Sequence, residues 1–568
     1  MRALLLAAAL LTAGTAPAAE AVALRVVALN DWHGHLAGDG LSLPLGQLTG
    51  GSETERVPLG SAAALAGLVR ALCSAAPHCL VLASGDLIGA APLESTLFRH
   101  ESTIAVAAAL GVQVAAVGNH EFDAGLTELR RLQRGGCAPA DATRTPTQSC
   151  AAPAPAYRGM PFALLGANVQ GAGLAPSWVT DVGGVRVGVV GAITRTTPGI
   201  VRPSGIKDLR FEDEATALNR EAAALARRGV HTVLALVHEG GHTDGGDWNG
   251  CAGGLRGAMA PIAEQLTPAY AAVLSAHTHQ GYRCTVAGRP VVQATSYGRG
   301  ISVLDLTLNP ATGRATRVQA INLPVLRPET PAALREAVLA ATPLPWRAPL
   351  AAARPDAAVA RQVAAWVAAA APLATLALAP LEAPFERGDA DEARGTLGRL
   401  VADAQQQAAA HLGADLALMN PGGLRADLRC AGQTPCQVTY GQVFTAQPFG
   451  NSLVVLTLTG AQLKALLEAQ NPERLLHVSR SLRYTWAPGA PAGQRVRELR
   501  LNGRPVAPRQ PLRVVVNSYM AEGGNGLTIL KAATGPRQGA GPDVDALAAA
   551  LQAGATPDPE PRVRRLSR

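Results

Sequence analysis

Short apolar runs alternate with longer amphipathic stretches up to about residue 325. An apolar run that ends at Gly, Pro or a polar residue is typical of a buried strand, and the stretches 62–72 and 214–228 have the length and alanine content of helices. The pattern predicts strands at Leu24–Leu29, Leu80–Ala83, Val114–Val117, Phe162–Leu165, Val185–Val190, Thr232–Val237 and Ala272–Leu274, with two more between 290 and 308. This alternation predicts a layered α/β domain.

The remainder of the chain reads as a connector, a second α/β segment and a tail. Residues 328–355 are rich in Pro and Ala, and a helix is predicted over 356–371, ending at Pro372. Apolar strands are predicted again at Leu453–Leu458 and Leu512–Val516. We therefore divide the chain into a leader at 1–18, a first domain at 19–327, a linker at 328–378, a second domain at 379–555 and a disordered tail at 556–568.

The amino terminus and the cysteines indicate export. Arg2 precedes the apolar stretch Ala3–Leu11, and Ala16-Pro17-Ala18 supplies small residues for cleavage, which is the pattern of a signal peptide too short to span a bilayer. The even count of eight cysteines in an exported chain favours disulfides. Pairing neighbours in order would give Cys73–Cys79, Cys137–Cys150, Cys251–Cys284 and Cys430–Cys436. We expect a periplasmic or secreted protein with no membrane span.

The net charge of +8 comes almost entirely from arginine, because lysine occurs only at Lys207, Lys464 and Lys531. A basic chain can bind a polyanion, but these arginines are scattered along the sequence, so we expect no nucleic-acid polymer as a partner. A mildly basic surface still attracts small phosphate anions.

Five of the predicted strands end in side chains that can bind metal ions. Ligands of layered α/β folds bind beyond the carboxyl ends of strands, where the rigid backbone fixes the geometry, so we expect these side chains to meet. The set consists of Asp31 and His33, then Asp86, then Asn119 and His120, then His238, and finally His277 and His279.

Imidazole and carboxylate together suit zinc, manganese, iron or cobalt. Two such ions about 3.5–4 Å apart need a bridging carboxylate, for which Asp86 is the natural choice. A single Asp after a strand is usually a helix cap, and a single His is usually a structural residue, but repetition at five strand ends favours a metal site. The set contains no cysteine, which disfavours a structural zinc. His35 and His242 are interpreted as loop residues or as supports for the ligands.

The motifs at these strand ends, D-x-H, G-D, G-N-H-E, H-E-G-G-H and H-T-H, resemble in this order those of the calcineurin-like metallophosphoesterases. In the second segment, NPGGLR (420–425), QPFGNSL (447–453) and NSYMAEGGNG (517–526) resemble the C-terminal domain of 5'-nucleotidases. The resemblance covers nearly the whole mature chain. It implies an α/β fold in which an N-terminal four-layer β-sandwich flanked by helices is followed by a linker helix and a C-terminal α/β substrate-binding domain.

The resemblance implies roles for individual residues. His120 matches the family's catalytic histidine, and Asp123 matches the carboxylate that orients it. The ligands of two divalent metal ions, with zinc, manganese, cobalt or magnesium left open, are matched by Asp31, His33, Asp86, Asn119, His238, His277 and His279.

The resemblance also implies substrate contacts in the second domain. Phe449 and Tyr519 match two aromatic residues that sandwich the base, and stacking of this kind accepts any base. Asn420 and Arg425 match contacts to the base and to the phosphate or ribose.

Three positions depart from the family pattern. His279 stands where many relatives have Gln or Asn, and imidazole ligates equally well. Asn525 replaces the usual Asp of GGDG, which keeps an acceptor for a ribose hydroxyl but removes a charge. Phosphate-binding arginines precede Leu397-Gly398 in relatives, and Arg387 and Arg394 are both candidates for this role.

The implied function is an exported 5'-nucleotidase that converts nucleoside 5'-monophosphates to nucleoside and phosphate. The same scaffold serves 2',3'-cyclic-nucleotide phosphodiesterases and UDP-sugar or nucleotide diphosphate hydrolases, so these activities stay open. A thiosulfate-ester hydrolase departs at the catalytic-histidine motif, which the intact segment 119–121 disfavours. A nucleotide-binding protein without catalysis would have no need for His120 with Asp123. The preferred base, the phosphate number and the oligomeric state stay open.

Overall fold

The computed structural model describes residues 20–139, 147–388, 395–430, 432 and 434–566. The predicted signal peptide and Arg394 lie outside the described residues.

Among the described residues, the first domain contains two six-stranded sheets, and all strands predicted there are present with slightly different ends. The first sheet consists, in spatial order, of Arg314–Pro324, Gly300–Asn309, Val22–Leu29, Cys79–Ala83, Val114–Ala116 and Ala163–Leu165. The second consists of Gly281–Val286, Arg289–Ala294, Tyr270–Ser275, Thr232–His238, Val185–Ile193 and Ser177–Val182.

The two sheets pack face to face, and helices cover their outer faces. The inner core contains Leu24, Val26 and Leu82 from the first sheet against Val187 and Leu234 from the second. Strands that are covered on both faces must be apolar on both, which explains their nearly continuous hydrophobic runs. The helices of this domain are Leu45–Thr49, Ala62–Ser74, Leu93–Thr96, Glu101–Ala109, Leu126–Arg134, Thr197–Ile200, Glu214–Arg227 and Met259–Gln265. The expected four-layer sandwich is confirmed.

The linker is more helical than the sequence predicted. The connector contains the helices Ala332–Ala341 and Leu344–Ala352, and the next helix, Ala357–Ala374, continues through Pro372. Pro372 lies in the last turn, so the proline removes only a terminal backbone hydrogen bond. By length and composition this described helix could cross a membrane, but Val363 packs into the core of the first domain and Trp366 into a core of the second, so this is weak evidence for a span.

The second domain is built on a five-stranded sheet. In spatial order its strands are His477–Val478, Leu416–Met419, Pro511–Asn517, Ser452–Thr459 and Thr534–Pro542. A smaller sheet contains Arg504–Pro505, Val496–Leu501, Leu482–Trp486 and Val563–Arg565, and a ribbon pairs Ala377–Leu381 with Cys436–Thr439. The main helices are Thr396–Ala408, Tyr440–Ala446, Gly460–Ala469 and Asp543–Gln552, with the short helix Ser518–Ala521.

The prediction of a disordered tail is wrong for its described part. Val563 is buried and pairs in parallel with Tyr484, which adds a strand to the smaller sheet. The buried guanidinium of Arg562 forms ion pairs with Asp403 at 2.7 Å and with Asp558 at 2.9 Å. These long-range contacts stabilise a Pro-rich and charged segment whose composition alone indicates disorder.

The four disulfides link the cysteines in the expected order. The pairs are Cys73–Cys79, Cys137–Cys150, Cys251–Cys284 and Cys430–Cys436, with Cα atoms 5.0 to 5.7 Å apart. All eight cysteines of the chain are thereby paired.

Candidate metal centre and substrate cleft

Parallel strand pairing brings the predicted ligands to one edge of the first domain. Val22–Leu29 runs parallel to Cys79–Ala83, which runs parallel to Val114–Ala116. In the second sheet, Thr232–His238 runs parallel to Tyr270–Ser275. Parallel neighbours end at the same edge, so the side chains that follow these strands converge, as the sequence predicted.

The convergent atoms form three groups within metal-binding range, which are linked by shared residues, His33 and Asp86. His33 Nε2 lies 3.1 Å from His279 Nε2, and His279 Nε2 lies 3.5 Å from Asp31 Oδ1. Asp86 Oδ2 lies 3.7 Å from His33 Nε2 and 3.1 Å from His238 Nε2. Asp86 Oδ2 therefore lies within reach of histidines from both sheets.

The tautomers of the buried histidines fit metal binding. His33 Nδ1 and His238 Nδ1 each lie 2.9 Å from a backbone carbonyl oxygen, of Gly89 and Ser84 respectively. A carbonyl accepts only, so each Nδ1 is the donor and each Nε2 is turned toward the cluster. This backbone support is the usual arrangement behind metal-bound imidazole, and the donor set fits divalent cations.

Burial and neighbouring charges set the protonation of the histidines in the cluster. Burial lowers the pKa of His33 well below its ordinary value, so the ring is neutral, as a ligand must be. Burial also lowers the pKa of His238, but the Asp86 carboxylate outweighs burial and raises that pKa to about 10. A bound cation would replace the proton that His238 and Asp86 otherwise share.

The backbone is strained at several of these positions. A left-handed conformation costs a residue with a side chain roughly 1–2 kcal/mol, and such strain persists where the surrounding structure enforces it, often at functional sites. The φ angles are 47° at Asp31, 49° at His33, 50° at Asp86, 72° at His277 and 57° at His279. Five of the seven expected ligands thus have a left-handed backbone conformation that the surrounding structure enforces.

Glu121 organises the loop that carries Asp86. Its carboxylate accepts hydrogen bonds from the backbone N–H groups of Asp86 and Leu87 at 2.9 Å each, of Ile88 at 3.4 Å and of Gly118 at 2.6 Å. Burial, followed by the charge of Asp86, raises the pKa of Glu121 to about 7. Glu121 therefore joins two strand ends and supports the ligand Asp86 from behind.

His120 lies beside the cluster and is held by Asp123. A short 3-10 turn over His120–Phe122 places Asp123 Oδ2 2.7 Å from His120 Nδ1, and the His120 backbone N–H donates to Asp86 Oδ1 at 2.9 Å. Burial lowers the pKa of His120, but the charges of Asp123 and Asp86 outweigh burial and raise it above its ordinary value. The imidazolium form is thus favoured next to the cluster.

A cleft of about 1350 Å³ separates this cluster from the second domain. On the first domain, Asp86, His120, Asp123 and His279 line it. The residues that line it on the second domain include Arg387, Asn420, Arg425, Phe449, Tyr519 and Asn525. All predicted substrate contacts within the described residues therefore face one cavity.

The two predicted base-binding aromatics reach across the cleft. The ring of Phe449 stacks on that of His120, with centroids 5.8 Å apart. The Tyr519 hydroxyl donates to the carbonyl of Gly199 in the first domain at 2.9 Å and accepts from the backbone N–H of Asn525 at 2.8 Å. Asn525 has a φ of 57°, a left-handed conformation that asparagine adopts more readily than most residues.

Tyr297 is a residue of the site that the sequence motifs did not predict. It follows the strand Arg289–Ala294, and its ring centroid lies 5.6 Å from that of His33 and 5.3 Å from that of His279. The Arg299 guanidinium lies over the Tyr297 ring, 5.3 Å from its centroid. The signal was present, because SYGRG follows a sixth strand at the same edge as the others.

The two remaining histidines of the motifs, His35 and His242, differ in burial. His35 packs on Tyr297 with centroids 4.2 Å apart, and burial, then the charges of Arg299 and Arg425, lower its pKa to about 3. His35 is therefore a neutral support behind the cluster. His242 is exposed in a loop.

A histidine–carboxylate cluster at the strand ends of a four-layer sandwich is the arrangement of metal-dependent phosphoesterases. Residues 24–281 match the family model described as calcineurin-like phosphoesterase, and residues 372–532 match the 5'-nucleotidase C-terminal domain. The chain belongs to the 5'-nucleotidase family, whose members are metal-dependent phosphoester hydrolases. The fold family thus implies divalent cations at this site.

Individual relatives are distant. The chain is 28% identical to Endonuclease YhcR of Bacillus subtilis over 89% of its own length but spans only 38% of that protein. It is 26% identical to a probable 5'-nucleotidase of Treponema pallidum, covering 89% of this chain and 87% of the relative. The fold matches a 5'-nucleotidase precursor from Thermus thermophilus with a TM-score of 0.75 and 24% identity, over 96% and 100% of the two chains.

Proposed function

We propose that the chain is an exported 5'-nucleotidase that uses two divalent cations to hydrolyse nucleoside 5'-monophosphates. The observation that carries this proposal is the cleft, which has the histidine–aspartate cluster on one wall and Phe449, Tyr519 and Arg425 on the other. The four disulfides and the predicted signal peptide support export.

The geometry suggests how the cations would be held. Bound divalent cations would lower the pKa of a coordinated water and neutralise phosphoryl oxygens. Asp86 would bridge the two ions, with Asn119 beside His238, whose Nε2 lies 3.1 Å from Asn119 Oδ1. The described residues contain three groups of potential ligand atoms: Asp31, His33 and His279; His33, Asp86 and His120; and Asp86, His238 and His277.

Two cationic side chains would act on the phosphate from outside the cluster. His120, kept protonated by Asp123, would stabilise the phosphoryl oxygens or protonate the leaving oxygen of the nucleoside. The Nε of Arg425 is buried and has no hydrogen-bond partner among the described residues. A phosphate would supply the acceptor that this guanidinium lacks.

An assay of phosphate release from nucleotides, run with metal-stripped protein, tests the proposal. We expect AMP and UMP to release phosphate after addition of Mn, Co, Zn or Mg, with no release from stripped protein. ATP, UDP-glucose, 2',3'-cyclic AMP and single-stranded DNA are tested in parallel with chromatography of the products, because opening a cyclic phosphate, splitting a diphosphate sugar or cutting DNA releases no inorganic phosphate. Turnover of 2',3'-cyclic AMP, UDP-glucose or single-stranded DNA without turnover of either monophosphate would overturn the proposal in favour of a phosphodiesterase or diphosphate hydrolase.

Phe449→Ala is expected to raise the KM for AMP by about tenfold, since base stacking contributes about 1–3 kcal/mol. Steady-state kinetics would measure the change, with ribose 5-phosphate as a substrate that has no base. The kcat/KM of the variant for ribose 5-phosphate should differ from the wild-type value by less than about twofold. An unaltered KM for AMP would show that Phe449 does not bind the base.

A further inference from the structure

Asp543 holds both ends of the loop that carries Phe449, one end through its carboxylate and the other through its backbone N–H. Gln447 begins this loop and Asn451 ends it. The Asp543 side chain is almost fully buried, and its Oδ2 accepts a hydrogen bond from Gln447 Nε2 at 2.9 Å. The Asp543 backbone N–H donates to the carbonyl of Asn451, also at 2.9 Å. Asp543 therefore fixes the distance between the two ends of the loop.

The same hydrogen bonds continue to the segment of the other aromatic. Ser518 Oγ donates to Asn451 Oδ1 at 3.1 Å, and Ser518 directly precedes Tyr519. Asn517, one residue earlier, donates from Nδ2 to Asn420 Oδ1 at 2.8 Å. A continuous polar network thus joins the segments of the two aromatics to the neighbourhood of Asn420.

Two acceptor oxygens of this network have no hydrogen-bond donor among the described residues. Asp543 Oδ1 and Gln447 Oε1 are buried and have no hydrogen-bond partner in the part of the chain that the structure describes. Burial raises the pKa of Asp543 to about 7, although hydrogen bonds from Val544, Asn451 and Gln447 lower it. A proton on this carboxyl would supply a donor, and asparagine would supply an N–H donor with the same shape.

We propose that Asp543 is a positioning residue for nucleotide binding, which fixes the Phe449 loop and, through Asn451 and Ser518, the Tyr519 segment. A clamp that is preorganised in this way loses less conformational freedom when a base binds. The inference rests on the proposed function, because it needs a nucleobase between the two aromatics.

The test compares Asp543→Ala and Asp543→Asn on AMP and on ribose 5-phosphate. We expect alanine to raise the KM for AMP by about tenfold with little change in kcat, because it removes the acceptor of the loop. The kcat/KM for ribose 5-phosphate should change less than about twofold. Asparagine should keep the KM for AMP within about threefold of the wild-type value. Asp545→Ala is the matched control, because Asp545 is an exposed acid on the same helical turn.

Equal loss on both substrates in Asp543→Ala, or an unchanged KM for AMP, would overturn the inference. If Asp543→Ala does not fold, Ser518→Ala breaks only the link to Tyr519 and should raise the KM for AMP by about threefold, and no change would count against the network. Failure of the proposed function is distinguishable, since wild-type protein would then hydrolyse neither AMP nor UMP.

Discussion

Replacing His120 with alanine is expected to lower kcat for AMP by about 10²–10⁴-fold while two metal ions per chain remain bound. The reason is geometric: Asp123 holds His120 Nδ1 at 2.7 Å, which favours the imidazolium beside the cluster, and His120 lines the cleft in which the phosphate would bind. Steady-state kinetics and metal analysis of the purified variant would measure both quantities.

Metal analysis is decisive because the geometry also permits another role for His120. His120, His33 and Asp86 offer ligand atoms that lie within 4.8 Å of one another. Loss of one metal ion per chain in His120→Ala would make His120 a ligand. Asp123→Asn separates the roles further: it should lower kcat by about tenfold to a hundredfold through weaker stabilisation of the imidazolium, with full metal content.

Much of the fold and the site could be predicted from the sequence, because both depend on local patterns. Buried parallel strands need continuous apolar runs, which locate the strands, and the residue that follows each run then lies at a known edge. His238 and His277 could therefore be grouped with Asp31 although more than 200 residues separate them along the chain. The disulfide pairing could also be predicted, since each disulfide links neighbouring cysteines and closes a local loop.

The other features depend on contacts between distant residues. Val563 forms a strand because Leu482–Trp486 offers an edge, and the helix that ends just beyond Pro372 is held by packing into both domains. Tyr297 has no metal-binding side chain, so a search for ligands passes over it although it contacts two histidines. The role of Glu121 is set by the backbone of a loop about 35 residues earlier, which no pattern within NHEFD reveals.

Glu121→Ala is expected to lower the stability of the first domain by about 3 kcal/mol or more and to reduce metal content below one ion per chain. Alanine leaves four buried backbone N–H groups without their acceptor, and each unsatisfied group costs about 1–3 kcal/mol. The loop that carries Asp86 would relax, and the bridging carboxylate would leave its position between the two groups of ligands.

Thermal unfolding and metal analysis would measure both effects of Glu121→Ala. Glu121→Gln should be intermediate, because one amide oxygen still accepts while the amide N–H₂ group faces backbone donors. Glu128→Ala is a suitable control for metal content: Glu128 forms largely buried ion pairs with Arg99 and Arg131, whose loss should lower stability but leave the metals bound. Wild-type stability and full metal content in Glu121→Ala would show that Asp86 is held by its own strand alone, and that the hydrogen bonds from Glu121 are dispensable for the site.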